Sequence, residues 1–351
     1  MMRPTTISLN RKAVNSSHLS LIKSDLPEKW QEILADLITD PKELLEILEL
    51  DPHSVPLGKV AIEDFPLKIP KPYVARIAKG NWQDPLLLQV WPDAKEEISD
   101  PSRDKDPLEE SRFNPQPGLL HKYDGRVLLT AAPHCAIHCR YCFRRHFDYQ
   151  ANTPGRGKWR EVIDYIAADD SIQEVILSGG DPLAAADSYL AWLLHELDAI
   201  PHVSTLRIHT RLPIVIPQRV TQSLLSLFSS LRCQVIIVTH CNHANEIDGE
   251  VGASLQKLRS NNHVILNQAV LLHDVNDDLD SLIALNKALF SQGVLPYYLH
   301  LPDRVQGTAH FDVSEAIGRK LIADMRKQLP GYLVPRLVRE EPGESSKTVL
   351  A

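Results

Sequence analysis

Apolar residues along the chain follow two regimes that meet near residue 120. Ahead of that point, Trp30, Ile33, Leu34, Leu37 and Ile38 recur at helical spacing, which predicts an amphipathic helix. Asp40 and Pro41 interrupt the run as an N-cap followed by a proline at the first helical position, and Leu44, Leu45 and Leu48 continue on a second helical face. The stretches 65–70 and 84–90 are Pro-rich and read as segments that wrap a surface, and 93–112 is charged and reads as a linker or solvated loop.

Beyond residue 120 short β-branched runs take over, at 126–132, 174–178, 205–210, 234–239, 263–271 and 295–300. Amphipathic helical stretches follow them at 159–168, 188–199, 220–231, 251–260, 282–292 and 314–328. Strand and helix in alternation at this period predict a parallel sheet. Six units fit an α/β fold of the incomplete (β/α)6 TIM-barrel type, and a doubly wound open sheet is the alternative. In βα barrels the reactive side chains sit at the C-terminal ends of strands. That rule singles out Cys135, Ser178-Gly179-Gly180, His209 and His240.

Composition narrows the function classes. The 351 residues can bury a large core, and 43% hydrophobic with 24% charged residues is ordinary for a soluble globular protein. A net charge of −7 argues against a general binder of nucleic acid or anionic membrane. The first residues lack an apolar signal core, and no run reaches the roughly 18 apolar residues of a membrane span. Only Cys233 and Cys241 lie outside one tight cysteine cluster, so no disulfide framework is expected and a reducing cytoplasm fits best.

That cluster is Cys135-Ala136-Ile137-His138-Cys139-Arg140-Tyr141-Cys142, a C-x3-C-x2-C pattern directly after an apolar run. Three thiolates this close wrap one face of a metal centre without closing a four-ligand shell. A structural zinc needs a fourth ligand, for which His134, His138 and His146 are at hand. A 4Fe–4S cluster takes one thiolate per iron, and three cysteines leave one iron open to a ligand. In Ser178-Gly179-Gly180-Asp181 two glycines let a ligand approach the backbone, or make an ordinary βα turn. The closing stretch 339–349 has the composition of a flexible tail, in which Lys347 by itself is an ordinary solvated lysine.

With Tyr141 just before its last cysteine, the cluster resembles the signature of the radical S-adenosylmethionine enzymes, whose open iron chelates that cofactor and cleaves it to a 5′-deoxyadenosyl radical. The stretch Arg339-Glu340-Glu341-Pro342-Gly343-Glu344-Ser345-Ser346-Lys347 resembles the pyridoxal-phosphate lysine motif of the lysine 2,3-aminomutases, with Glu344-Ser345-Ser346 where that family carries glycines. Tyr123-Asp124-Gly125-Arg126, 207–211, 213–219, 239–246, 267–272, 296–299 and 307–311 continue the likeness over most of 60–350.

The resemblance implies a helical N-terminal domain and linker at 1–110, a radical-enzyme (β/α)6 barrel at 111–335 and a pyridoxal-phosphate segment at 336–351. It puts the 4Fe–4S cluster on Cys135, Cys139 and Cys142, and S-adenosylmethionine at Ser178, Gly179, Gly180, Asp181 and Gln268. Arg126 would take the phosphate of pyridoxal 5′-phosphate, and Lys347 would condense with its aldehyde. Arg144 would hold the substrate carboxylate, with Asp303 and Glu340 on its ε-ammonium, a polarity that favours L-lysine over glutamate.

The catabolic members of the family extend beyond the pyridoxal lysine, whereas this sequence ends four residues after Lys347. It thereby resembles the enzyme that makes (R)-β-lysine for attachment to elongation factor P. The implied partners are a reductant of the flavodoxin or ferredoxin class and, functionally, an elongation factor P lysine ligase; a homo-oligomer is left open. A catabolic or other amino-acid 2,3-aminomutase is the alternative within the class. A non-catalytic zinc or iron–sulfur module that docks on a protein is the alternative outside it.

Overall fold

The computed structural model describes residues 29–351 apart from 55, 153 and 262. Its centre is one nine-stranded sheet: β1 (Leu119–Tyr123), β2 (Arg126–Ala132), β3 (Glu174–Gly179), β4 (Thr205–Thr210), β5 (Gln234–His240), β6 (Val264–Val270), β7 (Leu295–His300), β8 (Arg336–Arg339) and β9 (Thr348–Val349). Strand order in the sheet follows strand order in the chain. From β2 to β8 every neighbouring pair is parallel, and β1 and β9 are antiparallel flanks.

Six helices carry the crossovers: α1 (Arg156–Ala168), α2 (Asp187–Asp198), α3 (Gln222–Ser230), α4 (Gly249–Ser260), α5 (Leu279–Ser291) and α6 (Glu315–Gln328). Thr221, Asp248, Asp278 and Ser314 cap α3 to α6 by accepting from backbone N–H groups of the first turn. No described helix is long and apolar enough to cross a membrane.

Side-chain alternation sets which face of a strand meets the helices. Along β4, Leu206 and Ile208 are buried in the main core, whereas Arg207 and His209 alternate with them on the other face. The two ends of the strand order also meet. Lys122 Nζ donates to Glu340 Oε1 at 3.3 Å and to the Glu341 carbonyl at 3.1 Å, and the Tyr123 hydroxyl contacts the same Glu340 carboxylate. Strands β1 and β8 can touch in this way only if the sheet curls on itself. The fold is therefore a partial TIM-type barrel whose seam is bridged by side chains, and the open-sheet alternative falls.

Several features depart from expectation. The helical face beginning at Trp30 ends at Ala35, and Leu37–Ile38 instead pair antiparallel with Ile69–Pro70. The Pro-rich stretches form core: Leu67, Ile69, Leu86, Leu87 and Val90 are at most 1% exposed. The reason is local, since Asp84 accepts from the N–H groups of Leu86 and Leu87 at 2.8 and 3.3 Å and Pro85 opens the turn that sends both leucines inward. Strands β1, β8 and β9 were also unforeseen, being short and lacking long apolar runs.

The stretch expected to be a solvated linker holds the most buried ionic contact of the N-terminal half. Glu96 Oε1 accepts from Arg140 Nε at 2.7 Å, and its Oε2 accepts from Arg140 Nη2 at 2.5 Å and Arg145 Nη2 at 2.6 Å. These side chains are at most 2% exposed. Removing the shared carboxylate leaves two guanidiniums facing each other without a counter-charge. Glu96→Gln should therefore lower the unfolding free energy in urea by about 3–5 kcal/mol. Glu49→Gln, which breaks the exposed pair with Lys79, should stay within about 1 kcal/mol.

Candidate active site

The cysteine loop leaves the C-terminal end of β2 and is fastened on both sides. His138 N donates to the Lys68 carbonyl at 2.9 Å, its Nδ1 lies 2.7 Å from the Pro66 carbonyl, and its ring stacks on Phe65 at 4.4 Å. Arg140 N donates to the Gln89 carbonyl at 2.9 Å. On the other side the glycine turn after β3 closes against the loop. Gly180 N donates to the Ala132 carbonyl at 2.9 Å and Asp181 N to the His134 carbonyl at 3.0 Å. A Cβ on Gly180 would lie 2.4 Å from the His134 carbonyl oxygen, and Gly179 sits at φ +102° with Thr130 Cα 2.9 Å from where its Cβ would be. Only glycine fits either position.

The three thiols are unbridged. Burial first, then the neighbouring cysteines, pushes the Cys135 thiol up, and the same causes raise Cys142 to about 11. Thiols that repel each other's ionisation suit a metal centre that supplies the missing positive charge. His138 is committed to Pro66 and Phe65. Among the described residues no three His, Cys, Asp or Glu side chains are gathered to hold a single metal ion. The zinc alternative therefore lacks its closed shell, whereas a cubane spreads its thiolates over separate irons. Cys233 donates to the Val203 carbonyl and Cys241 is fully buried, so neither joins the loop.

Behind the loop lies a buried polar network in which Arg211, Gln89 and Glu246, unmarked as site residues in the sequence, join Cys139, Tyr141 and His240. Arg211 Nη1 donates to Cys139 Sγ at 2.7 Å and to the Tyr141 hydroxyl at 2.8 Å, while its Nη2 reaches Gln89 at 2.6 Å and Glu246 at 2.8 Å. His240 Nε2 lies 2.8 Å from the same hydroxyl. Gln268, expected beside S-adenosylmethionine, is the register partner of His240 on the next strand, which places it on this side of the barrel mouth. Asp181 is different. Its carboxylate accepts from Thr210 Oγ1 at 2.7 Å and from the backbone N–H of Arg211 at 2.7 Å, Leu183 at 3.0 Å and Leu212 at 3.1 Å. With both oxygens taken up, it holds the glycine turn to β4 rather than offering a free carboxylate.

The second half of the site gathers around Lys347. Strand β9 pairs with β8 through Val338–Val349 and Arg339–Thr348, which folds the expected tail back onto the barrel. Lys347 Nζ then contacts Glu340 Oε2, whose other oxygen meets Lys122 and Tyr123. Despite its burial, Glu340 is held down to about 2, with Lys347 the largest favourable cause. Asp303 goes the other way. Burial raises it to about 7, with Glu340 and Glu110 adding to the rise and Lys347 and Arg144 opposing it. Two carboxyls pushed this far apart divide the roles of permanent anion and titrating group.

Arg126 stacks over Tyr123 at 4.8 Å and lines an open cavity with Glu110, Lys122 and Glu340. Among the described residues no carboxylate pairs with it. Burial, followed by the charges of Arg207, Lys347 and Arg144, pushes His209 well below its usual value. His300 falls to about 3 through burial and then Lys347. The Nε2 atoms of both are buried without a partner. An unpaired guanidinium, two orphaned imidazole nitrogens and a lysine amine fit a phosphorylated, polar aromatic aldehyde. Arg144, expected at the substrate carboxylate, donates to Glu110 at 2.8 and 2.5 Å and to Ser178 Oγ at 3.2 Å, which draws Ser178 toward the substrate side as well as the glycine turn.

Geometry thus defines a barrel mouth with a cysteine loop on one side and a lysine set among carboxylates on the other. Comparison with known proteins agrees. The 4Fe-4S single cluster domain matches residues 124–204, spanning the cysteine loop and the glycine turn. The chain is 47% identical to the L-lysine 2,3-aminomutase of Escherichia coli over 95% of its length and 98% of that protein. It is also 47% identical to the L-lysine 2,3-aminomutase of Haemophilus influenzae, over 92% and 96%. To the glutamate 2,3-aminomutase of Clostridioides difficile it is 32% identical, over 92% of this chain and 76% of that one. The protein is a radical S-adenosylmethionine isomerase; it belongs to the lysine 2,3-aminomutase family.

The glycine turn supplies a direct test. Gly180→Ala forces its methyl group into the His134 backbone, so the loop must move. Iron content after anaerobic reconstitution should fall by more than about half. Gly157→Ala, where nothing lies within 4 Å of the added methyl, should reconstitute like the parent.

Proposed function

We propose that the protein is a pyridoxal-phosphate-dependent L-lysine 2,3-aminomutase whose (R)-β-lysine is destined for elongation factor P. The observation that carries the substrate reading is that one site holds both signs of charge: Arg144 and Lys347 both act on Asp303, as does Glu340, which Lys347 contacts directly. When bound, S-adenosylmethionine on the cluster supplies a hydrogen-abstracting radical, and pyridoxal phosphate supplies the electron sink that lets an amino group migrate.

The chain's own residues do the positioning. Arg126 offers a cation to the phosphate, His209 and His300 present neutral ring nitrogens, and Lys347 presents its amine to the aldehyde. In this arrangement Glu340 Oε2 anchors the Lys347 amine while Oε1 stays on Lys122 and Tyr123. Once the amine is engaged elsewhere, Oε2 is free for the ε-ammonium of the substrate, beside Asp303. Glu340 in this way serves the lysine side chain and the substrate in turn. A glutamate side chain would instead meet two carboxylates, so the site discriminates by repulsion as well as attraction.

The destination of the product is an expectation of the family resemblance. Cells lacking the protein should carry elongation factor P without its β-lysyl adduct, and supplied (R)-β-lysine should restore the adduct in intact-mass spectra. An adduct that persists without the protein sends β-lysine to metabolism instead. For Lys347, borohydride reduction of the pyridoxal-loaded protein should leave a pyridoxyl adduct on its peptide. A modified Lys320 or Lys327 with Lys347 bare would remove it from the role.

Asp303 gives a pH signature. Its carboxyl titrates at about 7, and only the ionised form binds an ammonium, so lysine affinity should rise as pH increases through that value. The same raised value means that the free protein loses stability as pH rises through 7, because a buried charge then forms. Asp303→Asn should flatten the pH profile of lysine binding and weaken it by about 1.5–3 kcal/mol at pH 8. A profile unchanged in that variant places the titrating group elsewhere.

A further inference from the structure

We propose that Glu110 is a positioning residue for the substrate, holding Arg144 by its side-on edge so that the opposite edge receives the α-carboxylate of the amino acid. This rests on Arg144 as the carboxylate ligand and adds the residue that aims it.

A guanidinium has five N–H donors in a plane. Glu110 Oε2 accepts from Nε at 2.8 Å and Oε1 from Nη2 at 2.5 Å, which together occupy the side-on fork. Ser178 Oγ accepts from Nη1 at 3.2 Å. One N–H remains on each of Nη1 and Nη2, the two nitrogens of the end-on edge. A second carboxylate can therefore bind without expelling the first. A side chain placed to block the site would have taken the end-on edge instead.

The surroundings are built for aim rather than for general charge balance. The Arg144 and Glu110 side chains are 7% and 13% exposed, and Arg144 lies over Phe143 at 4.8 Å and Phe147 at 5.9 Å. Glu110 is itself fixed: its N–H donates to Asp106 Oδ1 at 3.0 Å, and the Ser111 hydroxyl donates to the other Asp106 oxygen at 3.2 Å. It lines the same cavity as Arg126, Lys122 and Glu340 and acts on Asp303, so it belongs to the substrate site in space as well as by contact. A long arginine without such a brace must be ordered anew each time a substrate binds, and that ordering weakens binding.

The brace serves only ligands that carry a carboxylate, and this separates it from a merely structural pair. The test uses the reconstituted protein with pyridoxal phosphate and cluster but no S-adenosylmethionine, so that nothing turns over. Equilibrium dialysis gives the Kd of L-lysine and of 1,5-diaminopentane, which is lysine without its carboxylate. Glu110→Gln should weaken lysine by about tenfold or more and leave the diamine within about twofold. Glu110→Asp, which keeps the charge with a shorter reach, should recover part of the loss and carries the same comparison if the glutamine variant does not fold. Equal weakening of both ligands reduces Glu110 to a structural role, and unchanged or tighter lysine binding makes it a bystander or a competitor; each overturns the proposal. Arg144→Met is the control on the underlying reading. If that variant leaves the ratio of lysine to diamine affinity as in the parent, Arg144 is not the carboxylate ligand, whatever Glu110 does.

Discussion

The carboxylate of Glu96, shared between Arg140 and Arg145, is the contact on which the rest of the site depends. Both arginines belong to the cysteine loop or its immediate continuation, and Glu96 belongs to the N-terminal part of the chain. The loop buries Ala136, Ile137 and Tyr141, but three thiols in a fixed triangle need more than apolar packing to orient them. It is held by ionic and backbone contacts to Glu96, Phe65, Lys68 and Gln89 on one side and by a turn of two glycines on the other. Buried charges are costly unless fully partnered. Here Arg140 has a receiver for every nitrogen, and Arg145 for both of its Nη atoms, which offsets most of that cost and makes the geometry specific. The N-terminal segment is in this sense part of the active site without touching a reacting atom.

A second constraint is the seam. The barrel does not close by hydrogen bonds between strands, since β1 and β9 are the ends of the sheet. It closes by Glu340, which reaches Lys122 and Tyr123 across the gap and holds Lys347 on its other oxygen. The residue that bridges the fold thus also places the reactive amine. Its permanent charge beside the titrating Asp303 gives the pocket one fixed anion and one that responds to pH. On the proposed function, fold closure, cofactor anchoring and substrate polarity would share a single side chain, so a change there would be felt in all three.

Much of this was legible in the sequence. The βα alternation placed six parallel strands to within a residue and six helices to within about a turn, because both periods are strong in 126–328. Cys135, Cys139, Cys142 and the glycine pair stood out because their chemistry and spacing are unusual. The failures share a cause. Glu96 and Glu110 lie in a charged stretch whose composition is that of a solvated loop, and only their partners 34 to 49 residues later draw them inward. Leu86, Leu87 and Val90 stand in a Pro-rich stretch that reads as surface, although Pro85 in fact starts the turn that buries them. His209 was marked by its place at a strand end, but its orphaned nitrogen and the charges around it exist only in the folded barrel. Long-range ion pairs leave no periodic trace in a sequence.

Turnover itself is the most direct measure of the central claim, that the cysteine loop and Lys347 face one substrate of defined polarity. The protein, reconstituted anaerobically with iron, sulfide and pyridoxal phosphate, is incubated with S-adenosylmethionine, a strong reductant and either L-lysine or L-glutamate, and the amino acids are separated by chiral chromatography. β-Lysine from lysine, with no β-glutamate from glutamate, is the expected result. A fully loaded protein that leaves lysine untouched, or that converts glutamate as readily, would contradict it.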